Sequence, residues 1–477
     1  MQILRTLLIF SFLFVKTNLI VHGQDVQHNL NLDSIRGKFS VHSISFKGNT
    51  KTKSQIIVRE LMFEEKDSVT LPRLAFLVAQ SKNNLINTSL FNFVDIETLV
   101  DKELRQVYLT VNVKERWYFW PRPILQIQDR NFNAWWETKD LYRLNYGMYT
   151  SIYNIGGRAE TFKLFMRKGY TDLLGMTYHF PYLTKKQNIG LMVSARYQEN
   201  KEIAFSTLKN KQQFYRDPNR ASRKETDLTA GIIFRGEKFS KHFFDFSFRQ
   251  YGISDTVAKL NPEYFEHSSK NLAFFCLRYA YRLDLRDSKV FPLEGKLLEF
   301  SLEKDGLGLL NQENINELVL SAGIKQYSKL ANRVFASGSV KIRHRMNAVN
   351  YYSMNTALGF QDYVKGYEYF VIEGQTFALT KVNLAYQLLK PSVKKVHVKK
   401  FKKFSEIPYA LYVSTHFDAA YVNDRYSFET NILANKVLMG SGLSFTFVTY
   451  YDYVLRLDYS INRFAQKGFF LHFNAPI

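Results

Sequence analysis

The stretch Tyr453-Val454-Leu455-Arg456-Leu457-Asp458-Tyr459-Ser460-Ile461-Asn462 decides the fold. In an extended strand, Tyr453, Leu455, Leu457, Tyr459 and Ile461 share one face, and Val454, Arg456, Asp458, Ser460 and Asn462 share the other. An apolar row backed by a polar row is what a membrane-crossing strand needs, with lipid on one side and a wet lumen on the other. Leu443, Phe445 and Phe447 repeat the pattern against Ser444 and Thr446, as do Leu298, Phe300 and Leu302 against Glu299, Ser301 and Glu303.

Working outward, alternating stretches recur near 118–128, 142–151, 157–167, 172–179, 188–197, 226–235, 242–251, 271–282, 296–304, 317–326, 333–343, 375–389, 408–418, 437–449, 452–461 and 467–474. Sixteen is an even number, which lets both ends of a closed antiparallel barrel lie on one side. Closure is obligatory, because every backbone donor and acceptor must be paired in lipid. The alternatives, a soluble sandwich or propeller, explain the strands but leave three features unexplained together, of which the outward apolar rows are the first. The second is the aromatic content, 16% of 477 residues, which suits aromatic belts at two membrane faces. Mean hydropathy is −0.25, which suits alternation and excludes a bundle of apolar helices. The third feature is the N-terminus: Arg5, an apolar run from Leu7 to Val15 and a small residue at Gly23 predict an export signal over 1–23, cut near Gly23/Gln24.

A single cysteine, Cys276, excludes an internal disulfide. No HExxH, nucleophile-elbow, Walker or GxGxxG string occurs, so neither an enzyme nor a cofactor is expected. The net charge is +22. An exported chain makes nucleic acid a poor partner, whereas anionic outer-membrane lipids fit the charge.

After a linker over 24–38, residues 39–116 follow a different pattern. Phe39 to Phe46 alternates, Gly48-Asn49 turns, and Thr52 to Phe63 and Leu71 to Leu90 carry apolar residues at helical spacing. Phe93 to Leu99 and Val107 to Val113 then read as strands, giving a βααββ unit with a three-stranded sheet. Val94, Asp95, Ile96, Glu97 and Thr98 form its candidate edge, where an extended segment can add as a further strand.

The strings ISFKGNTKTKSQIIVREL, NNLINTSLFNFVDIE and VYLTVNVKER resemble a POTRA domain, the periplasmic module of the BamA/TamA outer-membrane insertase superfamily. Within 117–477, DYVKGYEYFVIEGQTFALTKVNLAYQLLKP resembles that superfamily's lumen loop, with Lys365, Gly366 and Tyr367 where Arg-Gly-Tyr is usual, and with Gly374 matching. LRDSKVFPLEGKLLEF resembles its turn motif at Arg286, Asp287, Pro292 and Gly295, and VSTHFDAAYV its Phe-x-Asp strand at Phe417 and Asp418. Ala385 and Gln387 stand where an inward Glu and Arg are usual. The resemblance implies a 16-stranded transmembrane barrel preceded by one small α/β POTRA domain. It also implies that the Lys365 side chain pairs with Asp418, which parity places inward.

It further implies an outer-membrane assembly factor that inserts or translocates unfolded outer-membrane or secreted clients, assisted by periplasmic or lipoprotein partners, with its POTRA domain in the periplasm. A two-partner-type secretion pore and a passive channel are the alternatives. The candidate lateral seam is Pro121 and Pro123 on the first strand and Phe469, Leu471 and Phe473 on the last. Two prolines two apart remove two donors from the same strand edge, and mark either a weak lateral gate or a simple kink where the chain enters its first strand. Parity places the basic run 390–403, with Lys394, Lys395, Lys399, Lys400, Lys402 and Lys403, on the periplasmic side. The basic run 201–224, with Lys209, Lys211, Arg216, Arg220, Arg223 and Lys224, falls outside; both read as solvated loops.

Overall fold

The computed structural model describes residues 37–127, 139–184, 186–236, 239–265, 268–310, 314–395, 406–427, 430–449 and 453–473. The predicted export signal, most of the linker, and Lys399, Lys400, Lys402 and Lys403 lie outside the described residues. The chain divides into two compact units, one ending at Arg116 and the other starting at Trp117.

The first unit runs β1 (Phe39–Lys47), α1 (Ser54–Glu60), β2 (Ser68–Val69), α2 (Leu71–Asn87), β3 (Phe91–Asp101) and β4 (Gln106–Glu115). The sheet has four strands in the order β2-β1-β4-β3, not the three predicted, because the two-residue β2 pairs with Phe39 and Ser40. A strand so short leaves no readable alternation. Pro72 sits in the first turn of α2, where its missing N–H is not needed. Leu74, Leu77 and Leu85 recur at helical spacing and are buried with Ile56 and Ile57 of α1 and Val107, Leu109 and Val111 of β4.

The carboxylate of Glu115 holds the β1–α1 turn. It accepts from the Thr52 N–H and hydroxyl at 2.7 Å each, from the Thr50 hydroxyl at 2.7 Å and from the Lys51 N–H at 3.1 Å. Burial alone would raise its pKa, but these donors outweigh burial and hold it below the ordinary carboxylate value.

The second unit holds β5 (Phe119–Ile127), β6 (Leu144–Tyr153), β7 (Thr161–Gly169), β8 (Thr171–Phe180), β9 (Ile189–Asn200), β10 (Glu202–Leu208), β11 (Lys211–Arg216), β12 (Arg223–Phe234) and β13 (Ser240–Ile253). It continues with α3 (Asp255–Leu260), β14 (Asn271–Asp284), β15 (Gly295–Asp305), β16 (Glu317–Ala331), β17 (Val334–Met346), β18 (Thr356–Leu358) and β19 (Ile372–Glu373). The last strands are β20 (Thr376–Lys395), β21 (Glu406–Asn423), β22 (Val437–Thr449), β23 (Tyr453–Asn462) and β24 (Lys467–Phe473). Sixteen of these strands form one antiparallel sheet running from β5 to β24, in which each strand pairs with its neighbours in the chain once the inserted hairpins are set aside. All sixteen coincide with the alternating stretches read from sequence. The inserted hairpins β10–β11 and β18–β19 were not predicted. Strands β20 and β21 run longer than expected, so Lys394 and Lys395 belong to strand rather than loop.

Faces follow the alternation. Leu443, Phe445 and Leu457 are 59%, 46% and 44% exposed, whereas Ser444, Asp458 and Ser460 are buried. Outward aromatics gather where β12, β13 and β14 meet, with the His242 ring 6.0 Å from Phe234, 6.0 Å from Tyr279 and 5.0 Å from Tyr281. Among the described residues no helix is long and apolar enough to cross a membrane.

Because the folded-state pKa of Glu115 is depressed, its contribution to stability is present above the ordinary carboxylate range and is lost as pH falls through the depressed value. Glu115→Ala should leave the N–H groups of Lys51 and Thr52 without their acceptor, a cost of about 1–3 kcal/mol. Hydrogen exchange on the full chain should show residues 50–53 losing protection at neutral pH in the variant, and only in acid in the parent.

Candidate functional site: a filled lumen and an unpaired seam

The segment between β17 and β20 turns inward, and its root is held by three lumen-facing residues of β17 at alternate positions. The Lys341 ammonium lies 2.7 Å from Asp362, Arg343 donates to the Thr356 carbonyl at 2.6 Å, and Arg345 donates to the Met354 carbonyl at 2.8 Å. Arg345 also pairs with Glu317 of β16 at 2.5 Å. These anchors were missed in the sequence, although basic residues at i, i+2 and i+4 just before a long connection are a readable signal.

The loop tip meets the last five strands. Gly366 has φ +87°, a left-handed conformation that glycine adopts without strain. Its N–H donates to Glu368 at 2.6 Å, and its carbonyl accepts from Asn462 of β23 at 2.9 Å. The Lys365 carbonyl passes so close to β22 that a β-carbon at Gly440 would sit 1.8 Å from its oxygen. Tyr367 is buried, with its ring edge-on to Phe464 at 6.4 Å. The Gly374 N–H donates to the Asn355 carbonyl at 2.8 Å.

The expected side-chain pair between Lys365 and Asp418 is corrected by the structure. Asp418 on β21 accepts the backbone N–H of Lys365 at 3.0 Å, and its ionic partner is Lys381 of β20 at 3.5 Å. The Lys365 ammonium turns instead to Asp458 of β23, at 4.0 Å, which also takes Arg456 at 3.0 Å and lies 3.5 Å from His472 of β24. The Lys381 ammonium stands 4.2 Å from the centre of the Tyr363 ring, and that ring stacks on His472 at 5.7 Å. Parity identified Asp418 as inward but could not choose between two inward carboxylates on strands two apart.

The β14–β15 turn fills the lumen from the other end. Arg286 forks onto Asp284 with two contacts of 2.8 Å, and Asp287 accepts from the N–H groups of Ser288 at 2.8 Å and Leu293 at 3.1 Å. Pro292 and Gly295 complete the turn, which carries Phe291 to within 4.7 Å of the Tyr412 ring on β21. Gln387, where the family has Arg, donates to the Tyr412 hydroxyl at 2.9 Å. At the far end, Asn210 at the β10–β11 tip accepts the N–H groups of Val371 and Leu433 at 2.9 Å each, and its amide donates to Asn431. Three loops are thereby stitched together over the lumen.

Strands β5 and β24 end the sheet, and among the described residues no ladder joins them. Tyr118 lies opposite Tyr153 and accepts its N–H at 2.8 Å. In an antiparallel pair, bonded and non-bonded positions alternate, so Trp120, Arg122 and Ile124 bond to β6, and residues 119, 121, 123 and 125 turn their backbone groups to the free edge. Pro121 and Pro123 therefore remove two adjacent donors from the seam. Phe469 is exposed on the outer face, Leu471 shares that face, and Phe473 stands in register with Leu455. Across the seam, Arg122 of β5 donates to the hydroxyl of Tyr453 on β23, the neighbour of β24, at 3.5 Å. In the first unit, the predicted edge Val94–Thr98 lies within β3, whose one neighbour is β4.

Family comparison matches residues 39–116 to POTRA, described as a surface antigen variable number repeat, and residues 154–378 to the Omp85 superfamily domain. The chain belongs to the Omp85 superfamily. Its fold is similar to BamA from Haemophilus ducreyi lacking POTRA domains 1–3, with a TM-score of 0.52, 14% identity, and coverage of 91% of this chain and 84% of that one. It is likewise similar to CdiB from Escherichia coli, with a TM-score of 0.50, 9% identity, and coverage of 95% and 92%. No curated protein matches the sequence.

In this Omp85 protein the backbone, not the Lys365 side chain, carries the contact to Asp418. Asp418→Ala should remove that acceptor and strand the Lys381 charge, costing about 3–5 kcal/mol. Lys365→Ala keeps the backbone contact and should cost less. Thermal unfolding of the purified barrel, with proteolysis within 347–375 as a local readout, should rank Asp418→Ala and Gly440→Ala as more damaging than Lys365→Ala.

Proposed function

We propose that the chain is an outer-membrane assembly factor that inserts or translocates client proteins, with its POTRA domain in the periplasm. The observation that carries the reading is the combination of a lumen obstructed on one side with an unpaired wall. A passive channel needs an open bore, whereas here the β17–β20 loop covers the inner face of β20 to β24, the turn bearing Phe291 enters the lumen, and the loops stitched at Asn210 cross its far end. The wall itself offers a path between β5 and β24, where the described residues form no ladder and two donors are missing. Strand β3 offers a second unpaired edge, on which an extended client segment gains main-chain hydrogen bonds with little sequence requirement. Burial of the client's apolar strand faces in lipid supplies the driving force, roughly 25 cal/mol per Å². No cofactor or covalent step is needed, and lipids, unfolded clients and periplasmic or lipoprotein partners are the expected contacts.

Depleting the protein and comparing the outer-membrane proteome should show selective loss of barrel proteins. Loss of one secreted protein alone would favour a two-partner-type secretion pore, and altered solute uptake with an unchanged proteome would favour a channel. A disulfide engineered between β5 and β24 in a Cys276→Ala background should block activity until it is reduced. Full activity while cross-linked would exclude an obligatory lateral path.

A further inference from the structure

The lumen is unevenly charged. On β12 to β15, inward cations meet carboxylates: Arg223 lies 2.8 Å from Glu225, Arg249 2.8 Å from Glu303 and Arg278 3.3 Å from Asp245. On β5 to β8 the register gives the inward positions Arg122, Lys163, Arg167 and His179, and no inward position there is Asp or Glu. Among the described residues, Lys163 and Arg167 have neither a hydrogen bond nor an ion pair, and Arg122 has only the Tyr453 hydroxyl and the Tyr149 ring, 4.9 Å below its guanidinium. Arg196 of β9 reaches Glu225 only at 3.8 Å.

Of these, Arg167 and Arg196 border a cavity of about 500 Å³ lined also by Ile124, Tyr149, Phe165 and Thr177, and Lys163 stands two positions from Phe165 on the same inward face of β7. Tyr149 and Phe165 stack at 4.2 Å and form an aromatic panel between the cations. An unpaired guanidinium on a cavity, with a second one 3.8 Å from its carboxylate, makes a site for anions. The spacing narrows the anion further. Lys163 and Arg167 flank Phe165 on one strand face, four residues and roughly 13 Å apart at the rise of a β-strand. One phosphate cannot serve both, whereas an extended peptide has the same rise. The ladders from β5 to β9 are continuous and wall the chamber from lipid, so acyl chains have no entrance through them.

We propose that this chamber binds an acidic, extended polypeptide segment, with carboxylates four residues apart on Lys163 and Arg167 and an aromatic or apolar residue between them on Phe165. The inference rests on the client-handling reading above and gives the client's chemistry. The test uses purified full-length protein in detergent and a fluorescein-labelled peptide with Asp at its second and sixth positions and Phe at its fourth. The counterpart has Asn at both Asp positions. The acidic peptide should bind roughly tenfold more tightly or better in fluorescence anisotropy, and salt should erode the difference. Arg167→Gln should abolish the preference and Arg167→Lys should keep it, with heat-modifiable gel mobility confirming the folded barrel; Lys163→Gln gives a second reading if Arg167→Gln does not fold. Equal affinity for the two peptides, or a preference indifferent to both neutralising variants, overturns the proposal. Displacement of the acidic peptide by phosphatidylglycerol in mixed micelles would move the chamber to lipid phosphate and overturn it too. Either result leaves the depletion experiment unaffected, so the two readings fail separately.

Discussion

A backbone N–H or C=O left without a partner in hydrocarbon costs several kcal/mol, and the rest of this structure follows from that constraint. It requires fourteen interior strands to have two neighbours each and concentrates the cost at β5 and β24, the two strands that end the sheet. Everything unusual about the wall lies there. The prolines take away donors that would otherwise need a partner, β24 is short, and an Arg122–Tyr453 contact stands where a ladder would run. A seam of this kind costs less to part than any other junction, because fewer main-chain bonds are lost.

The lumen adds a second asymmetry. Strands β20 to β24 are covered on their inner face by the folded-in loop, through buried carboxylates and a close glycine contact at β22. Buried ion pairs of this kind are weak sources of net stability but severe when broken on one side, so they favour one loop position over its alternatives. Among the described residues, strands β5 to β8 carry no such cover. Among the described residues the barrel is therefore braced on the β24 side of the seam and uncovered on the β5 side, an asymmetry that the proposed client-handling role would use.

The strands were legible because the membrane enforces period two over the length of each strand, as in Tyr453–Asn462, and no competing packing disturbs it. Arg286, Asp287, Lys365 and Asp418 were legible by resemblance. The partner of the Lys365 side chain was not, because two inward carboxylates lie within reach and only coordinates rank them. The β10–β11 hairpin and α3 were missed for a different reason. Their apolar residues, Ile203 and Val257 among them, pack with Tyr264 and Phe265 in a cluster at the far end that draws on several loops, so no single stretch carries a complete pattern. Asn210 looked like one polar residue in a basic loop, yet its bonds span more than two hundred positions in the chain.

The account stands on which side chains meet lipid. Single cysteines at Leu443, Phe445 and Leu457, and at Ser444, Thr446 and Asp458, in a Cys276→Ala chain reconstituted into bilayers and labelled with a small fluorophore, test this directly. Quenching by spin-labelled acyl chains should be strong at Leu443, Phe445 and Leu457 and weak at the three alternating positions. Equal quenching across both sets, or the reverse order, would contradict a lipid-facing barrel.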